Sequence, residues 1–330
     1  MNHQLIIKNI ARGSYSPIYF LHGEESYYID LIEKFATSQI IKNEAKDFDQ
    51  TIVYAKDTDL LTIVNSAKRF PMMGPYQVIS IREAQNFKKF DELIHYARKP
   101  QDQTILIFSF KGKKLDARTQ KKLNKNVDFF ESKKLFDNQV PGWITKQVES
   151  QYLKISEKSS VILSEFLGNN LTKIANEIKK ISISIPKNSE ITPEIIEKNI
   201  GINKDYNIFE LSTAIANKKI IKANRIVNYF ASNEKNYPLV VTLASFYRLF
   251  SKIMGCYFSP SDQPEIVAKT IGVNPFFVKD YINGKRNYSK RQIFKIMGYL
   301  NDYDLKSKGY GNVSTSDGEL LKELVFKILH

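Results

Sequence analysis

Residues 104–108, Thr104-Ile105-Leu106-Ile107-Phe108, run on as apolar side chains without polar alternation. A strand with one wet face alternates apolar and polar residues, so this run belongs in the interior of a sheet covered on both faces. Shorter β-branched or aromatic runs lie near 17–21, 48–54, 76–81 and 127–131, with helical stretches between them. Strands that alternate with helices predict a parallel α/β sheet flanked by helices. After Pro141-Gly142-Trp143 the strand signal fades and the pattern turns helical to the end, with breaks at 185–190 and 201–205. The expected fold class is therefore α/β plus all-α, with domains at 1–140, 141–204 and 205–330.

Helical spacing supports that division. Leu171, Ile174, Ile178 and Ile181 fall on one face, while Lys173, Glu177 and Lys180 point elsewhere. Thr192 followed by Pro193 predicts an N-cap with proline at the first helical position, where its missing N–H costs nothing. Ser316 with Glu319 predicts a capping box opening the last helix, 320–329.

Residues 16–30 read as a strand, a glycine turn and a helix start, the place for a phosphate-binding loop. Such a loop is G-x-x-x-x-G-K-[ST], so counting from Gly23 the second glycine, the lysine and the hydroxyl would be positions 28, 29 and 30. They are Tyr28, Ile29 and Asp30. Tyr28 denies the close backbone approach of glycine, Ile29 brings no cation, and Asp30 adds negative charge. The third strand, 78–81, should end in the acidic pair that holds Mg²⁺, and it ends in Arg82-Glu83. Two lesions in one chemistry predict an NTPase-like framework without a working nucleotide site, and no cofactor.

Forty-nine Lys plus Arg against 35 Asp plus Glu give a net charge of +14, which suits a polyanionic partner. Lysine-rich solvated surface is the alternative. No run approaches the ~20 apolar residues of a membrane span, and the N-terminus lacks a signal-peptide core, so a cytoplasmic protein with no membrane partner is expected. The single Cys256 is expected to be a buried thiol, and four scattered histidines offer no metal site; His22, beside Gly23, is read as structural.

Several segments, in order and spacing, resemble the delta subunit of bacterial DNA polymerase III, a non-catalytic member of the AAA+ clamp-loader ring. They are residues 19–25 (YFLHGEE), 69–74 (RFPMMG), 111–118 (KGKKLDAR), 176–180 (NEIKK), 207–215 (NIFELSTAI) and 271–279 (IGVNPFFVK). The resemblance spans essentially the whole chain. It implies an N-terminal AAA+-like parallel sheet domain that binds the clamp, a small helical lid domain and a C-terminal helical collar for oligomerisation. It implies no catalysis of its own, only membership of a DNA-directed DNA polymerase (nucleotidyltransferase) holoenzyme. The implied partners are the beta sliding clamp, the gamma/tau and delta prime loader subunits, and primed DNA. The implied function is to open the clamp so that the loader, driven by ATP in neighbouring subunits, places it on DNA. The family's wedge, two large apolar side chains on the loop after the second α-helix, maps to Met72 and Met73, flanked by Phe70 and Pro71. The family more typically carries a Leu-Phe-like pair there, and the glutamine of some clamp-binding motifs has no equivalent.

Other readings stand beside these. Met72 and Met73 could pack onto their own domain, although Pro71 and Gly74 favour a projecting turn. Lys111, Lys113, Lys114, Arg118, Lys121, Lys122 and Lys125 form either a phosphate-contacting edge or a solvated helix. Tyr310, between Gly309 and Gly311, either meets an unpaired base or sits in a plain loop. Residues 265–286 look like a helix-turn-helix, with Lys279, Asn283, Lys285 and Arg286 on the second helix, which taken alone suggests a DNA-binding regulator. Phe276, Phe277 and Tyr281 make that helix better suited to internal packing. An active AAA+ ATPase is the third function class, opposed by the two lesions.

Overall fold

The computed structural model describes residues 2–123, 126–201, 203 and 205–330, and Phe276 by its backbone alone; Lys125 lies outside the described residues. The chain forms two compact units, Met1–Leu135 and Phe136–His330.

In the first unit the strands are β1 (Ile18–Gly23), β2 (Gln50–Tyr54), β3 (Gln77–Arg82), β4 (Thr104–Lys111) and β5 (Val127–Ser132). They form one parallel sheet in the order β2-β3-β4-β1-β5, so β4 and β1 lie inside it, as the continuous apolar run requires. The register pairs Ile18 with Leu106 on one side and with Val127 on the other. Successive side chains of a strand point to opposite faces. Ile18 and Phe20 accordingly join Leu60, Ile63, Val64 and Leu93 in one core. Tyr19 and Leu21 join Ile6, Ile10, Ile29 and Ile32 in the other. The helices Leu60–Ala67 and Asp91–Tyr96 thus cover one face, and His3–Ala11 and Ser26–Ile40 cover the other. Phe20 stacks on Phe108 with ring centroids 5.4 Å apart, tying the two central strands together.

Among its described residues the second unit is helical apart from a short parallel ladder, Lys154–Ile155 with Glu190–Ile191, in a region the sequence reads as helical with a break at 185–190. Leu171, Ile174, Ile178 and Ile181 are buried. Thr192 caps the helix Pro193–Ile200 by accepting the Ile195 N–H. The expected capping box at Ser316 is only half formed. Ser316 Oγ accepts the Glu319 N–H and donates to Glu234 Oε1, while the Glu319 carboxylate turns to Lys322 at 2.6 Å. A complete box instead opens the helix Lys290–Ser307, where Ser289 and Gln292 bond reciprocally. Among the described residues one helix, Leu239–Cys256, is by length and composition long and apolar enough to cross a membrane, although Arg248 and Lys252 interrupt its apolar run. Half of it is buried, with Leu243, Phe246, Phe250 and Ile253 in the unit's core, as expected of a core helix. Cys256 is buried at its end, and burial pushes the thiol up to about 11.

Gly23 ends β1 at φ +130°, a region side chains rarely adopt, and a Cβ there would lie 2.1 Å from the Ser132 carbonyl oxygen. We therefore expect Gly23→Ala to cost about 2–4 kcal/mol, combining backbone strain with a displaced β5. Urea unfolding checks this; a cost below about 1 kcal/mol would show that the two strand ends are not held so close.

Candidate functional site

The C-terminal edge of a parallel sheet is where an α/β protein places a nucleotide. Here the chain's own groups occupy the positions. The Gly23 N–H donates to the Lys113 carbonyl at 3.0 Å, and the Gly112 N–H donates to the Gly23 carbonyl at 2.9 Å. The Glu25 N–H goes to the Ser132 carbonyl, while Glu25 caps the helix Ser26–Ile40 by accepting the Tyr27 N–H at 2.9 Å. The amides of Gly23, Glu25 and Tyr27 at this edge are therefore already engaged, the last by a carboxylate at a helix N-terminus, where an anion is otherwise favoured. Ile29 not only lacks a cation but is wholly buried in the core, and the Tyr28 ring lies 4.4 Å from His3 on the N-terminal helix. Asp30 forms an ion pair with Lys111. Histidine 22 is buried, its Nδ1 accepting the Leu115 N–H at 3.4 Å, and burial lowers its pKa.

Arg82 Nε donates to Glu33 Oε1 at 2.7 Å, and Ser109 Oγ donates to Glu33 Oε2 at 2.7 Å. The Glu33 hydrogen bond, then the one to Tyr54, pushes the Arg82 pKa upward, keeping a fixed cation where a metal's carboxylate ligand would stand. Glu83 adopts a left-handed φ of 55° and starts the turn Ala84–Asn86. Among the described residues no group of three or more His, Cys, Asp or Glu side chains converges. Glu33 is one of the residues that sequence reasoning missed. Its signal was a charged side chain on a helical face otherwise made of Ile29, Ile32, Ala36 and Ile40.

The loop between the helix Leu60–Ala67 and β3 carries Phe70, Met72 and Met73, which are 71%, 76% and 63% exposed; Pro71 is half-buried. The methionines are not packed onto their own unit. The preceding helix is the fourth α-helix rather than the second, because His3–Ala11 and the one-turn helix Lys46–Asp49 also precede it. The loop backbone is nonetheless fixed. Asp49, 3% exposed, accepts N–H bonds from Met72, Met73 and Gly74 at 2.5, 2.9 and 2.5 Å. Gln77 Nε2 donates to the Arg69 carbonyl and, at 2.7 Å, to Thr104 Oγ1. Burial opposes ionisation of Asp49, but the three amides outweigh it and hold its pKa below the usual value. Its stabilisation is thus present above the ordinary carboxyl value of about 3.9 and is lost as pH falls through the lower folded value.

Among the basic candidates, Lys111 pairs with Asp30 and Lys114 with Glu131, whereas Lys113, Arg118, Lys121 and Lys122 are exposed. Lys114, Arg118 and Lys122 line a groove of about 440 Å³ together with Lys88 and Lys89, which the sequence reading did not include. The groove floor holds Phe87, Phe90 and Phe110. Tyr310 is 69% exposed in a loop turned by Gly309 and Gly311 at positive φ. The helix-turn-helix shape exists, as Pro264–Ile271, a turn at Gly272 and Val278–Asn287. Its second helix is not free to enter a groove along its length. Asn283 bonds Asn217 at 2.8 Å, Lys285 pairs with Asp262 at 2.6 Å, and Gly284 lies against Ile253, leaving Lys279 and Arg286 exposed.

The family described as DNA polymerase III, delta subunit, matches residues 19–136, and its C-terminal domain matches residues 205–325. A DNA polymerase III subunit delta from Bacillus subtilis (strain 168) is 23% identical over 333 aligned residues, covering 96% of this chain and 94% of the relative. A solved structure of a DNA clamp loader delta protein from Bacillus subtilis has a TM-score of 0.58 at 21% identity and covers 99% of both chains, a likeness of fold. The fold class is thus the expected one, a parallel α/β sheet unit followed by a helical unit, as in the clamp loader delta protein.

Removing the Arg82 guanidinium leaves the buried Glu33 carboxylate with Ser109 as its remaining side-chain partner. Because the Arg82 side chain is 39% exposed, water can reach the gap, so Arg82→Ala should cost about 1–3 kcal/mol rather than the larger loss of a sealed pair. Neither protein should bind ATP saturably in a fluorescence titration. Saturable binding by the parent chain would sink the reading of a closed site.

Proposed function

This chain belongs to the DNA polymerase III delta subunit family, and on that premise we propose that it is the clamp-opening subunit of a clamp loader. It binds the beta sliding clamp through residues 70–74 and stabilises the opened form, while ATP used in the gamma/tau subunits drives loading onto primed DNA. The observation that carries this reading is the loop itself: Phe70, Met72 and Met73 are held in water on a backbone braced at both ends. Exposed apolar clusters on an ordered segment mark a surface that a partner covers, and methionine adapts to an apolar pocket.

The chain itself has no catalytic part; it serves the polymerase holoenzyme in the cytoplasm, without a membrane partner. The satisfied amides at Gly23 and Glu25 and the Arg82–Glu33 pair support this. In the proposed division of labour, residues 1–140 bind the clamp, 141–204 form the lid, and 205–330 form the collar that joins gamma/tau and delta prime. Exposed Val240, Val241 and Tyr247 on one collar helix suit such packing. DNA contact is assigned to the groove of Lys88, Lys89, Lys114, Arg118 and Lys122, with Tyr310 offered to an unpaired base. The alternative of a regulator that reads DNA with residues 278–287 is disfavoured by the internal bonds of Asn283 and Lys285.

Deleting residues 205–330 should abolish co-purification with the other loader subunits and leave clamp binding in place. Loss of clamp binding by a first unit that circular dichroism shows to be folded would contradict this division.

Fully burying a methionine contributes roughly 1.5–3 kcal/mol, and alanine keeps one methyl, so Met72→Ala with Met73→Ala should weaken clamp binding by about 2–5 kcal/mol. That is about 30-fold to several thousand-fold in Kd by calorimetry. The double variant should fold normally, since both side chains are exposed in the free chain. Unchanged affinity would mean that the clamp is bound elsewhere.

A further inference from the structure

We propose that Asp49 is the positioning residue that holds the methionine loop in its projecting, clamp-competent shape. The proposal rests on the reading of residues 70–74 as the clamp-binding loop. Three consecutive amides, of Met72, Met73 and Gly74, converge on this one carboxylate from 23 to 25 residues away. Successive N–H groups that turn toward one anion form a backbone nest, and the side chains at those positions are thereby turned away from it. That is why Met72 and Met73 are exposed on an ordered segment.

The carboxylate has no competing task. Asp49 is 3% exposed, and among the described residues no Lys, Arg or His pairs with it. A buried carboxylate without donors is costly, so the loop amides and Asp49 satisfy each other. The fit is close at Gly74, where an added Cβ would lie 3.2 Å from Asp49 Oδ2. Asparagine could not substitute: it offers one acceptor oxygen and turns an NH₂ group toward an amide that also donates.

The loop then sets affinity through the fraction of molecules already in the binding shape, since apparent Kd rises as that fraction falls. Hydrogen exchange on the full chain without clamp should show the amides of residues 72–74 protected in the parent and exchanging freely in Asp49→Asn. Calorimetry with the sliding clamp should show Asp49→Asn weakening binding by about 10-fold to 100-fold. On the Met72→Ala, Met73→Ala background it should cost nothing further, because Asp49 acts through those side chains. Lost protection with unchanged affinity overturns the positioning role, and retained protection overturns the latch itself. Parent-like affinity in the methionine double variant overturns the clamp reading, a failure that the clamp-free exchange measurement keeps distinct from failure of the latch. If circular dichroism shows Asp49→Asn unfolded, Gly74→Ala replaces it. Pressing on Oδ2, it should lose part of the protection and about 3-fold to 10-fold in affinity, and parent-like values for both overturn the proposal.

Discussion

The Glu33 carboxylate can be buried beneath the strand ends of the first unit because Arg82 and Ser109 each give it a donor at 2.7 Å. Three elements meet in that cluster: the helix Ser26–Ile40, the end of β3 and the middle of β4. An unpaired carboxylate there would cost several kcal/mol, so the positions of the helix and both strands are coupled through one charge. At the end of the third strand, where the sequence reading expects a magnesium carboxylate, the chain has an internal ion pair between Arg82 and Glu33. The adjoining amides, at Gly23 and Glu25, are likewise satisfied from within.

The projecting loop follows a different economy. Its backbone is tied to Asp49 and to Gln77, yet Phe70, Met72 and Met73 face water. An order held by polar bonds leaves the apolar side chains uncommitted, so in the proposed clamp contact the area they bury would be gained without first being lost from the protein's own core. Ordering entropy is also spent in folding rather than in association. Methionine side chains on a fixed backbone combine a rigid base with an adaptable tip.

How legible all this was in the sequence depends on the range over which each feature is encoded. The five strands could be read because β-branched runs and intervening helices are local signals, and β4 needed only its own residues 104–108. The altered phosphate positions were equally local. Glu33 was half legible, as a charge on an apolar helical face, but its partners stand 49 and 76 residues away. Asp49 gave no local sign, since a carboxylate near the start of a strand is ordinary until folding brings residues 72–74 to it. Lys88 and Lys89 were missed because their groove is assembled with residues 114–122 from another segment. At Ser316 the motif was present but a tertiary partner, Glu234, took the hydroxyl proton, while Lys322 took the glutamate that should have bonded back.

These constraints bear on how ATP can govern a subunit of this kind. A ligand shifts a conformational equilibrium only by its differential affinity for the two states. With the Gly23 and Glu25 amides engaged from within and Arg82 held by Glu33, the proposed reading leaves ATP no such differential affinity on this chain and no direct hold on the Asp49-braced loop. On the reading proposed above, nucleotide control over clamp engagement would arrive through contacts with other subunits, as a coupling free energy between their ATP sites and the access of the clamp to residues 70–74. An internally bonded sheet edge and a pre-shaped loop would on that reading be two sides of one arrangement: the proposed binding surface stays ready, and the decision to expose it would lie with the neighbours.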